Sequence, residues 1–243
     1  MDSHYDTLVR LIYGSIMIES AGSSLDITRQ LCTAAFRGQN VTAHISDTDP
    51  NHGKHLAKSP ASRQPRRGCP HVFESKIFSD GWPWSEELIL DTHRILHRGL
   101  YNVVGAGEYR TYEVAVKYEK PERCPDMRDM VEHLNSNVAG AERLGRLNPS
   151  TLAARYHHQF VNIHPFGDGN GRMSRIILKA LLLQLRCVSV FGLDAQERDD
   201  YIGIATRASK VFHAEDMEVD FSEHTGHLKL TKFVLANAQR MLV

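Results

Sequence analysis

The stretch from Asn148 to Leu182 constrains the fold more than any other, because two helical patterns meet there across a turn with little conformational choice. Asn148-Pro149-Ser150 starts a helix well, since Asn can N-cap and Pro suits the first helical position. Leu152, Tyr156, Phe160 and Ile163 then recur at helical spacing, so one face of that helix is buried. The pattern stops near His164-Pro165. Gly167, Gly169 and Gly171 alternate through the turn and permit a tight backbone that a partner can approach closely. A second helix begins around Gly171 and carries Ile176, Ile177, Leu178, Ala180, Leu181 and Leu182.

A glycine turn feeding a helix N-terminus is an anion site, because unpartnered N–H groups and the positive end of the helix dipole point at the same place. Arg172 and Arg175 lie at i,i+3 just inside that terminus, where two guanidinium forks can take two phosphate groups. Asp168 can hold a magnesium ion that bridges phosphates. His164 can act as general base toward a hydroxyl, since its ordinary pKa lies near working pH. The residues alone therefore read as a nucleotide-dependent transfer site. Other motifs fail on spacing. Asp168-Gly169-Asn170-Gly171 begins like a calcium loop, but Arg172 takes a ligand position and Met173 the turn-glycine position. Gly53-Lys54 lacks the rest of a P-loop, and Arg110 stands where a dinucleotide fingerprint beginning at Gly105 needs its third glycine.

The run His164-Pro165-Phe166-Gly167-Asp168-Gly169-Asn170-Gly171-Arg172-Met173-Ser174-Arg175 resembles the Fic family pattern H-x-F-x-[DE]-G-N-G-R-x-x-R at every fixed position. The resemblance implies an all-α fold with a short β-hairpin flap, and transfer of AMP from ATP to a protein side-chain hydroxyl. It implies that His164 deprotonates the target hydroxyl and that Asp168 holds Mg2+. Gly167, Gly169, Asn170 and Gly171 then cradle phosphate, and Arg172 and Arg175 grip the outer phosphates. Phe166 reads as a core anchor for the turn.

Upstream, Ser15-Ile16-Met17-Ile18-Glu19-Ser20 resembles the family's inhibitory motif [ST]-x-x-x-E-[GN], with Ser20 in place of Gly or Asn. The implied pair is Glu19 with Arg175, which blocks productive γ-phosphate binding. Ser85-Glu86-Glu87 reads as a helix start. After Gly107 the β-branched run Tyr112-Glu113-Val114-Ala115-Val116 suggests the flap, which in the family holds the target by strand addition. Arg110, Tyr112, Glu113 and Val114 stand as target-docking residues or as solvated flap surface. Ala195 to Tyr201 resembles the segment closing the adenine side. Tyr201 fits the first of two family tyrosines, while Ile202 and Ser209 depart from the pattern.

The organisation expected is an inhibitory helix region over 1–36, a variable mobile insertion over 37–83 and a catalytic core over 84–243. The stretch from Arg37 to His71 is rich in Pro, Ser, His, Lys and Arg and nearly free of large apolar residues, so it reads as a solvated loop. Basic and acidic side chains balance at 29 each in 243 residues, which argues against a nucleic-acid surface. Cys32, Cys69, Cys124 and Cys187 lack C-x-x-C spacing, so they read as reduced thiols. His93 and His97 sit at i,i+4 with no third ligand placed beside them and read as helix surface or packing. Met1-Asp2-Ser3-His4 has no basic n-region, and Lys179, Gln184 and Arg186 interrupt the longest apolar stretch; the expectation is a cytoplasmic protein without a membrane segment. The resemblance further implies a target protein presenting a Ser, Thr or Tyr hydroxyl. Family analogy offers a heat-shock chaperone as that target and a homodimer as the assembly. Removal of AMP by a Glu19-activated water is the rival reaction, and a nucleotide-binding regulatory module without transfer is the rival class. Transfer of UMP, phosphate or phosphocholine also occurs within the family.

Overall fold

A computed structural model describes residues 3–20, 24–37, 83–97, 105–111, 126–144, 148–215 and 223–241. They form eight helices: α1 (Ser3–Ile18), α2 (Leu25–Phe36), α3 (Glu86–Leu96), α4 (Asp126–Leu144), α5 (Pro149–Ile163), α6 (Asn170–Gln184), α7 (Ala195–Glu215) and α8 (Leu228–Arg240). Among the described residues there is no strand. The flap residues Tyr112, Glu113 and Val114 lie outside the described residues, as do Cys69, Cys124 and positions 38–82 of the expected insertion.

The α5–α6 hairpin is the centre of the molecule. Its apolar faces bury Tyr156, Phe160, Met173, Ile177, Leu178 and Leu181, and the intervening turn buries Phe166. Against α5 pack α4, through Met127, Met130 and Leu134, and α8, through Leu230 and Val234. Each fully buried Leu, Ile, Phe or Met contributes about 1.5–3 kcal/mol relative to exposure, so this hairpin is the most strongly fixed part of the fold. The helix starts are capped as the sequence predicts. Asn148 accepts from Ser150 N at 2.9 Å and Pro149 fills the first turn of α5. Ser85 accepts from Leu88 N at 3.1 Å at the start of α3. Trp84 then ties that start to two other helices. Its backbone exchanges hydrogen bonds with the Asn135 amide at 2.8 and 2.7 Å, and its indole donates to Gln184 Oε1 at 3.0 Å.

Helix α1 lies against α6, α7 and the segment that joins them. The contact is close because Gly14 has no side chain: a Cβ there would sit 2.1 Å from the Phe191 carbonyl oxygen. Gly192, at φ +80°, backs onto Gly14 and Ile18 in turn. Ile18 belongs to the same buried core as the α5–α6 hairpin. Two cations hold carbonyls along α1: Lys179 Nζ donates to Leu11 O, and Arg198 Nε donates to Ile18 O at 3.1 Å. Burial pushes the Lys179 ammonium down to about 7, with the Arg175 charge adding to the shift. Among the described residues no helix is long and apolar enough to cross a membrane, and no group of three or more His, Cys, Asp or Glu could hold a metal ion.

Candidate active site

The turn between α5 and α6 is built from both ends. Helix α5 stops at His164, which adopts the left-handed conformation (φ 49°, ψ 55°) while its N–H still bonds Phe160 O at 3.0 Å. A left-handed residue is a common way to end a helix, and His tolerates it better than most. The freed carbonyls find a cation. Arg110 Nε donates to His164 O at 2.8 Å, Arg110 Nη2 to Ile163 O at 3.3 Å, and Arg110 N to Pro165 O at 2.9 Å. A cation at a helix C-terminus also suits the negative end of the dipole. Arg110 thus clamps the helix end that carries His164. The His164 Nδ1–H faces the Val161 carbonyl at 3.3 Å, which leaves Nε2 as the lone-pair nitrogen of the neutral ring. Burial lowers the imidazole pKa below 6.5, so the ring is in its base form at neutral pH.

Asn170 closes the turn. Its Oδ1 accepts from Phe166 N at 3.0 Å and its Nδ2 donates to Phe166 O at 2.7 Å. Both ends of the amide therefore serve the loop, and anion binding falls to the backbone. Gly169 is the N-cap of α6 at φ +83°, and the first-turn N–H groups that follow have no carbonyl four residues back inside the helix. Gly167 is exposed on the outer side of the turn.

The two arginines diverge although they start from one helix face. Arg172 Nη2 donates to Asp168 Oδ2 at 2.9 Å and lies 3.2 Å from His97 Nε2 on α3. Arg175 turns to α1: its Nε donates to Ser15 Oγ at 3.3 Å and its Nη2 to Glu19 Oε1. Arg175 is 3 % exposed and lies 6.0 Å from the centre of the Tyr201 ring. The Glu19 oxygen also lies 3.5 Å from where a Gly171 Cβ would be, so the carboxylate stands beside the first turn of α6. Glu19 thus presents an anion to the helix end that attracts anions. Ser20 directly after it takes φ 50°, the left-handed conformation that Gly or Asn adopts more cheaply.

Asp168 is the carboxylate available to a metal. Its side chain is 71 % exposed, and the Arg172 guanidinium 2.9 Å away holds its carboxyl far below the usual carboxylate range. One exposed, ionised carboxylate matches the way magnesium is usually bound, by one or two carboxylates together with substrate phosphates. The chemistry of the donor set therefore fits the ion.

Two sets of residues also shape the site: the His93/His97 pair, which the sequence left as helix surface or packing, and Tyr201 with His157, of which only Tyr201 was named. His93 and His97 on α3 are buried under the turn. The His93 ring stacks on Phe166 at 3.6 Å and 4°, donates Nε2–H to Asp168 O at 2.9 Å and accepts from Gly107 N at 2.8 Å. Burial drives its pKa to about 4. Their i,i+4 spacing was the only signal in the chain. Tyr201 is buried, with its hydroxyl 2.7 Å from His157 Nε2, so it braces α7 on α5 beside Arg175. No sequence pattern marks His157.

Comparison with known proteins agrees with this geometry. Residues 83–182 match the Fic/DOC family. A "Protein adenylyltransferase Fic" of Nematostella vectensis is 30% identical over 128 residues, which is 51% of this chain and 30% of that protein. The protein of the same name in Aedes aegypti is 33% identical over 96 residues, 40% of this chain and 19% of that one. The chain thus spans less than a third of the length of the curated relatives it matches. In fold, a Fic domain containing signaling protein from Bacteroides thetaiotaomicron superposes with a TM-score of 0.66 at 16% identity, covering 99% of this chain and 87% of that one. Fic-1 from C. elegans superposes with a TM-score of 0.63 at 20% identity, covering 100% of this chain and 63% of that one. The match to the Fic/DOC family thus covers α3 to α6 with the glycine turn between α5 and α6, and the described helices share the fold of these Fic structures.

Proposed function

We propose that this protein is a magnesium-dependent protein adenylyltransferase whose own α1 restrains it. It moves AMP from ATP to a Ser, Thr or Tyr hydroxyl of a target protein in the cytoplasm. The observation that carries the reading is the Glu19 carboxylate bonded to Arg175 beside the first turn of α6. A restraint aimed at a phosphate site supports a phosphate reaction there. His164 Nε2 removes the hydroxyl proton as the target oxygen bonds to the α-phosphorus, and the bond to the pyrophosphate oxygen breaks in line. Asp168 would hold magnesium, which neutralises phosphate charge when bound. The α6 N–H groups and Arg172 hold the phosphates that leave, and Arg175 orients the γ-phosphate once Glu19 releases it. Arg110 keeps His164 at the helix end by clamping its carbonyl. The segment over 112–114 would present the target as an added strand.

Incubation of Glu19→Gly with ATP and magnesium, followed by intact-mass spectrometry, tests the reading. A gain of one AMP on the chain itself or on an added target is the expected result. No gain under any metal or nucleotide condition, with nucleotide binding intact, would leave a regulatory nucleotide-binding module. A second reaction is supported by the exposed Glu19 carboxylate, whose side chain is 40% accessible: water activated there would strip AMP from a modified target. The parent chain should then remove AMP that the Glu19→Gly chain has added.

A further inference from the structure

Under the motif turn, α3 carries a histidine that the transfer chemistry does not use. His97 donates Nδ1–H to the His93 carbonyl at 3.0 Å, because a carbonyl can only accept. In the uncharged ring Nε2 is then a lone pair, and Arg172 Nη2 approaches it at 3.2 Å. The same Nη2 donates to Asp168 Oδ2 at 2.9 Å. These two partners differ in permanence. The Asp168 side chain is 71% exposed, whereas that of His97 is wholly buried. His97 is also held from above: a Cβ on Gly169 would sit 2.6 Å from His97 Cε1, so the turn rests directly on the ring. His97 Nε2 lies 3.6 Å from Asp168 Oδ2, beyond hydrogen-bond length, so Arg172 bridges the two groups.

We propose that His97 is a positioning residue for Arg172, holding its guanidinium in place when Asp168 is engaged by magnesium. The inference rests on the reading of Arg172 as a phosphate grip and of Asp168 as the metal carboxylate. One carboxylate oxygen cannot serve a cation and an arginine at full strength. Without His97, an arginine that loses Asp168 regains the rotamer freedom that binding must then remove. A neutral acceptor has a further merit over a second carboxylate: it orients the fork without cancelling the charge that phosphate needs. The buried ring is therefore suited to hold the arginine through a binding event that draws Asp168 away.

Calorimetry on the full chain, with ADP and with AMP, in magnesium and in EDTA, tests this. His97→Phe keeps a ring and removes the acceptor; it should weaken ADP about tenfold in magnesium and leave AMP within about twofold, as the loss of one hydrogen bond to a charged group requires. The ADP loss should be smaller in EDTA, where Asp168 still holds the arginine. His97→Gln brings an amide oxygen close to the place of Nε2 and should restore ADP binding, whereas the shorter His97→Asn should not. If the phenylalanine variant loses its cooperative melt, the Gln and Asn pair carries the test. An unchanged ADP-to-AMP ratio in His97→Phe, or equal ratios in the Gln and Asn variants, overturns the proposal. Equal losses for both nucleotides also overturn it, because they mean only that the turn has collapsed. A parent chain, or an Arg172→Ala variant, with no preference change between ADP and AMP strikes the phosphate role of Arg172, and the proposal falls with it. A normal response of those two beside an unchanged His97→Phe strikes the proposal alone.

Discussion

Gly14→Ala should switch the protein on without touching a charged group. The added Cβ would lie 2.1 Å from the Phe191 carbonyl oxygen. Ordinary contact needs about 3.5 Å between heavy atoms, so something must retreat by more than about 1 Å. Phe191 is fully buried and precedes Gly192, whose φ of +80° and close neighbours leave that backbone little room. Helix α1 is the part that gives, since Ile18 is its one residue in the main buried core and the rest is held by a few side-chain bonds and the Gly14 contact itself. Two effects oppose each other. Alanine improves the helix by about 1 kcal/mol over glycine, while overpacking costs about 1–3 kcal/mol and more against a rigid backbone atom. The clash wins. A retreat of that size takes Glu19 out of hydrogen-bond reach of Arg175, a contact worth about 1.5–3 kcal/mol. Adenylylation should therefore rise about ten- to a hundredfold, at a factor of ten for each 1.36 kcal/mol. The assay is AMP incorporation by intact mass over time, for Gly14→Ala, Glu19→Gly and the double variant. The double variant should be no faster than Glu19→Gly, because both changes remove one contact. Parental transfer and a parental melting midpoint in Gly14→Ala would refute the close seating of α1. Multiplying effects in the double variant would refute the idea that α1 acts through Glu19.

Arg175→Ala should be inactive with or without Glu19, because the arginine serves the reaction as well as the restraint; activity in the double variant would contradict that. His164→Ala should lose about 10²–10⁴ in transfer rate while binding nucleotide normally. In the parent, transfer should hold level through neutral pH and fall only as pH drops through the lowered His164 pKa, since burial favours the neutral base; a decline already set at pH 7 would show a different base. Ser20→Gly should raise the melting midpoint and lower basal transfer, because it relieves a left-handed serine costing about 1 kcal/mol at the end of α1. Stability should fall in acid from about pH 6.5, the ordinary imidazole value. His93 and His157 are held neutral down to about 4 and about 3 by burial. The unfolded chain therefore takes protons that the native state refuses, and the loss runs from the unfolded pKa down to the folded ones. A melting midpoint that stays flat between pH 7 and 4 would contradict this.

Elements with strong local grammar were legible in the sequence. Asn148-Pro149 and Ser85-Glu86-Glu87 name helix starts because capping is a contact between residues two or three apart, and both caps form. Phe166 read as a turn anchor and is fully buried, stacked on the His93 ring, because a large apolar ring in a polar turn is favoured out of water. Arg110 was ambiguous for a reason. A guanidinium serves a target and a helix C-terminus equally well, and its carbonyl partners lie 53 and 54 positions away. Asn170 shows the same limit: its amide fits a phosphate or a loop carbonyl, and the tight turn takes both ends of it.

The seating of α1 was legible only in part, and the division follows from distance along the chain. Glu19 and Arg175 are 156 positions apart, so no periodicity joins them; the family pattern did. Nothing comparable marked the rest of that interface. Lys179 registered as an interruption in an apolar run, although a lysine among Leu178, Ala180 and Leu181 must either reach water or find an oxygen. It finds Leu11 O, 168 positions upstream. Gly14 in mid-helix carried a similar unread signal. Glycine weakens a helix by about 1 kcal/mol, so its presence there asks for a compensating close approach. The Phe191–Gly192 backbone supplies it. A buried cation and a helical glycine are each a demand for a partner that only tertiary structure can name. Both demands are met where α1 lies on the α6–α7 side of the domain, the same side on which Glu19 reaches Arg175. The proposed restraint therefore rests on how the whole helix docks, with Ser15 and Glu19 as the residues that touch Arg175.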